Sequence, residues 1–80
     1  AWSSRRDHIH TVGMNRRLLI GFDRTVPEAD ATQEALQEWR EYLERMQWVG
    51  VGLPVTQILR SPERDALDEY AVEVMGEVDG

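Results

Sequence analysis

The chain has 80 residues, no cysteine and a net charge of −6. That length predicts a single small domain over 1–80, near the lower end of what folds without covalent or metal staples, and without cysteine neither a disulfide nor a thiolate metal site can supply one. All nine basic residues are arginine, which excludes Schiff-base lysines, lysine general bases and the phosphate-loop lysine.

The charge is unevenly placed. Residues 1–24 carry +3, through Arg5, Arg6, Arg16, Arg17 and Arg24, whereas residues 25–80 carry −9. A basic front and an acidic back suit a nucleic-acid contact, an oppositely charged protein or self-association, while the acidic total argues against non-specific nucleic-acid binding. No apolar run approaches a membrane span, and the N-terminal residues lack the apolar core of a signal peptide. The expectation is a cytoplasmic protein with no membrane contact.

In chain order, residues 1–7 read as a flexible polar arm with Trp2 as its one large apolar side chain. His8–Val12 is β-compatible, Gly13-Met14-Asn15 has turn chemistry, and Leu18, Ile20 and Phe22 share one face under period-2 alternation. These segments predict a β-hairpin pairing 8–12 with 17–23. The strongest signal follows: Leu36, Trp39, Tyr42, Leu43 and Met46 fall on one stripe of a helix over 25–47, extended by Thr32 and Ala35. Thr25-Val26-Pro27-Glu28 has the spacing of a capping box, and Gly50 offers a left-handed C-cap. The stripe is expected to be shielded by the hairpin and the last element of the chain.

Val49–Val55 alternates apolar residues with Gly or Pro, and predicts either a third strand, confined to an edge by Pro54, or a loop leading into a short helix over 54–60. Ser61-Pro62-Glu63 reads as a helix start. The helix is expected to run to about Met75, with Leu67, Tyr70, Ala71, Val74 and Val78 inward and Asp65, Glu69, Glu73 and Glu77 stacked at i,i+4 outward. The fold expected is therefore α+β: an N-terminal β-hairpin followed by two main amphipathic helices, with a short strand or helix between them.

Chemistry-bearing patterns are sparse. His8 and His10 would share one strand face, but paired histidines in a polar segment are ordinarily solvated, so no metal and no cofactor is assigned. Ser3 and Ser4 lie in the arm and Ser61 reads as a cap, so no hydrolytic pair is assembled and no enzyme is expected. Ile58-Leu59-Arg60-Ser61-Pro62 resembles, over five residues, a stretch of some Phd/YefM antitoxins, and a strand followed by two helices resembles a ribbon-helix-helix module; no residue role is carried over from either. That leaves two readings. The first is a non-catalytic protein–protein interaction module, an assembly, regulatory or inhibitory subunit whose contact surface is Trp2, Trp48, Asp65, Glu69, Glu73 and Glu77; tryptophan favours interface centres and carboxylates suit a basic partner. The second is a nucleic-acid-binding regulator or antitoxin-like protein using Arg5, Arg6, Arg16, Arg17 and Arg24.

Overall fold

A computed structural model describes residues 14–60 and 68–79. The elements are β1 (Met14–Asp23), α1 (Glu28–Met46), β2 (Val49–Leu59) and β3 (Glu69–Asp79). The three strands form one antiparallel sheet in the order β1-β3-β2, so β1 and β2 run parallel to each other on either side of the last strand. One helix covers one face of the sheet. The expected hairpin and second helix are both overturned: β1 pairs with β3, and residues 69–79 are strand. The 8–12 arm of that hairpin lies outside the described residues, as does the Ser61-Pro62-Glu63 helix start.

β1 and β3 obey the same alternation. Leu18, Ile20 and Phe22 of β1 stand opposite Val74, Val72 and Tyr70 of β3, all turned towards the helix. Tyr70, Val72, Val74 and Val78 are buried there against Ala31, Ala35 and Trp39. Each of those large side chains contributes roughly 1.5–3 kcal/mol when fully removed from water. The three β-branched valines also fit a pleated surface better than a helix. β2 is a strand, as one of the two expectations had it, and it occupies an edge as Pro54 requires. Its pairing with β3 is broken by a bulge between Val51 and Val55, where Gly52 adopts φ +75°.

The helix lies where the apolar stripe put it, but its buried line is Ala31, Ala35 and Trp39. Two alanines four residues apart let the helix approach the sheet, so Leu36, Tyr42 and Leu43 pack only partly and Met46 remains 46% exposed. Trp39 lies on Gly76: a methyl group built there would meet its Cζ2 at 2.9 Å.

Both helix ends also differ from the expected caps. Pro27 is the N-cap and no side chain caps the helix, because the Thr25 hydroxyl and amide both donate to Asp23 Oδ1, at 2.7 and 2.9 Å. At the other end Gln47, not Gly50, takes the left-handed conformation, with φ 59°. The Gln47 and Trp48 amides donate to the Glu44 and Leu43 carbonyls, closing a Schellman motif.

Candidate functional site: the open face of the sheet

Among the described residues the helix packs on the even-numbered side of β1 and β3, and on the other side Ala71 is fully buried and Glu73 nearly so. The other side carries Arg17 and Leu19 from β1, Glu69, Ala71, Glu73, Met75 and Glu77 from β3, and Val51, Val55 and Gln57 from β2, as the pleat and register require. Leu19, Val51, Val55 and Met75 are all exposed there, Val55 at 66%. Leu53, on the bulge at the margin, is 92% exposed. Around the bulge a depression of about 370 Å³ opens between Asn15, Val51, Leu53, Val55, Met75 and Glu77. With Val49, which shares the parity of Val51 and is 67% exposed, five large apolar side chains stand exposed on that face.

Carboxylates run through that patch. Glu69, Glu73 and Glu77 stay on one side of β3 because a spacing of four is two full strand periods, just as it is one helical turn. Roughly 13 Å separates successive members along the strand, far wider than the ladder expected on a helix. Glu73 is the most enclosed, at 8% exposure, with Leu19 and Gln57 as its cross-strand neighbours. Its Oε2 lies 3.3 Å from Nη1 of Arg17, whose own side chain is 65% exposed. A pair with one partner so open to water is worth on the order of 0–1 kcal/mol.

The remaining predicted residues fall elsewhere. Trp48 is half-buried on the helix side, edge-on to Tyr42 with ring centroids 5.7 Å apart, and the Arg16 guanidinium sits 4.9 Å from its ring centroid. It therefore does not share a surface with Glu69, Glu73 and Glu77. Arg16 and Arg17, adjacent in β1, point to opposite faces, and Arg24 is paired with Asp68 at 3.3 Å at the end of the sheet. The structure thus places three of the predicted carboxylates on one face of β3 and sets the described arginines Arg16, Arg17 and Arg24 at separate positions. Trp2, Arg5, Arg6, His8, His10 and Asp65 lie outside the described residues.

Two titrating groups mark the opposite end of the sheet. Burial raises the Tyr70 phenol above its ordinary value of 10.0, against a smaller lowering by Arg60, whose guanidinium lies 4.6 Å from the ring centroid. The Tyr70 hydroxyl donates to the Val26 carbonyl, and Arg60 Nη2 reaches Glu28 Oε2 at 2.6 Å. The Thr25 hydroxyl, and then its amide, holds the Asp23 carboxyl below its ordinary 3.8. These contacts fasten the β1–α1 turn to β2 and β3.

Sequence reasoning missed Leu19, Val51, Val55 and Met75. The signal was present in β1, where Leu19 stands on the side opposite Leu18 and Ile20. Among the described residues no group of three His, Asp or Glu side chains could hold a metal ion, and no helix is long and apolar enough to cross a membrane. Comparisons with protein-family models, curated proteins and solved structures found no match. The fold and the site together define a helix-backed three-stranded sheet whose other face is both apolar and acidic.

Proposed function

We propose that this chain is a non-catalytic interaction module whose open sheet face docks a protein segment carrying apolar side chains interleaved with arginine or lysine. The observation that carries the reading is the coincidence, on the face of the sheet away from the helix, of the exposed Leu19, Val51, Val55 and Met75 with Glu69, Glu73 and Glu77. Apolar contact supplies affinity, and the carboxylates select a basic partner and steer its approach. Arg17, drawn towards Glu73, is the one guanidinium on that side of β1, so the field of the face is negative. Among the described residues Arg16, Arg17 and Arg24 do not gather into one basic patch, which favours the docking reading over the nucleic-acid one.

Fluorescence anisotropy with two labelled peptides tests the proposal, one alternating leucine with arginine and the other leucine with glutamate. The arginine peptide should bind and the glutamate peptide should not, and Val55→Lys should weaken binding at least ~10-fold with helix content unchanged. Equal binding of both peptides, or indifference to Val55→Lys, would sink the reading. Tight, steeply salt-dependent binding to duplex DNA instead would favour the arginine-based rival.

A further inference from the structure

The two edges of the sheet are built differently. β2 is interrupted by a bulge, by Gly52 at φ +75° and by Pro54, all devices that stop another strand from pairing. β1 has none of them. It runs ten residues without proline, in unbroken register with β3 from Met14 opposite Val78 to Asp23 opposite Glu69, and among the described residues no strand pairs with its outer side. We propose that this edge pairs antiparallel with β1 of a second copy of the chain, joining two three-stranded sheets into one of six.

Charge complementarity singles out the second copy as the occupant. On the open face of β1, Arg17 and Asp23 lie six residues apart, symmetrically about Ile20. An antiparallel pair centred on Ile20 therefore sets Arg17 of each copy opposite Asp23 of the other, twice over. Cross-strand neighbours must lie on the same face, which permits this centre because 17 and 23 have the same parity. The same register places Leu18 opposite Phe22 on the helix side and Leu19 opposite Gly21 on the open side. It also sets Arg16 opposite Arg24 on the helix side, where Asp68 offsets the Arg24 charge, while Arg17, though 3.3 Å from Glu73 of its own chain, keeps further N–H donors for a second carboxylate. A twofold pairing closes on itself and leaves the two bulged β2 strands as the outer edges of the joined sheet. The contact uses the strand edge, and it stands whether or not the open face binds a basic partner.

Light scattering on the full chain over a range of concentrations, with charge reversals, tests the pairing. The wild type should approach twice its 9.3 kDa mass as concentration rises. Arg17→Glu alone and Asp23→Arg alone should each weaken self-association about tenfold or more, since two attractive cross-strand pairs become repulsive. Mixing the two variants should restore the dimer mass, because both 17–23 pairs are then of opposite sign. Hydrogen exchange on the wild type gives a check independent of any variant: protection should grow with concentration in β1 and not in β2. A chain that stays monomeric, a dimer indifferent to both reversals, a mixture that fails to associate, or protection growing in β2 instead would each overturn the proposal.

Discussion

At Gly76 the central strand presents no side chain, and the Trp39 indole occupies the space. A Cβ there would lie 2.9 Å from Cζ2, against a wide, stiff ring rather than the end of a flexible chain. Gly76→Ala should therefore destabilise the fold by about 1–3 kcal/mol, as overpacking does, measured as a lower urea midpoint with an unchanged slope. Gly52 is a useful contrast, because nothing lies within 4 Å of its would-be Cβ and only its positive φ resists substitution. Tyr70 and Asp23 couple stability to pH in opposite senses. A phenol raised by burial keeps its proton more firmly when folded, so its contribution is whole below about pH 10 and is lost as pH climbs through the raised value. Asp23 acts in the reverse sense: its pKa is lowered, so its contribution is present above 3.8 and is lost as pH falls through the folded-state value. Tyr70→Phe should cost about 0.5–1.5 kcal/mol at neutral pH and flatten the alkaline limb of a stability–pH curve. Asp23→Asn should flatten the acid limb and leave the alkaline one alone.

Among the elements, α1 was legible and β3 was not, and the difference is one of arithmetic. The spacing of Leu36, Trp39, Leu43 and Met46 fits only a helical period, whereas residues four apart share a face in helix and strand alike. Glu69, Glu73 and Glu77, together with Tyr70, Val74 and Val78, satisfy both periods, and the Pro and Ser at 61–62 tilted the reading towards helix. Val72 is the residue that breaks the tie. It finds no place in the inner face of a helix with Tyr70 and Val74, yet it completes the alternation of Tyr70, Val72 and Val74 in a strand, where it is fully buried. The acidic half of the candidate site survived the wrong element because four is a multiple of two; Met75 joins Leu19, Val51 and Val55 only with β3 in its proper place. Val72→Ala should accordingly cost about 1–3 kcal/mol by thermal melting, whereas Glu77→Ala, exposed on the open face, should stay within about 0.5 kcal/mol.

For the molecule as a whole, the helix gives one face of the sheet a core and leaves the other acidic and apolar at once. Those two properties respond differently to salt. Attraction between Glu69, Glu73 and Glu77 and a basic probe fades as the screening length falls to about 10 Å at 0.1 M and about 3 Å at 1 M. Contact with Leu19, Val55 and Met75 is not screened. The affinity for a leucine–arginine peptide should thus fall with salt and then level off, and Val55→Lys should lower the plateau. Reversing Glu69 and Glu77 to arginine should invert the slope, so that a leucine–glutamate peptide binds best at low salt. Isothermal titration across a salt series reads both quantities. A slope unmoved by the double reversal would mean that the carboxylates of β3 take no part in recognition, leaving the open face as apolar surface alone.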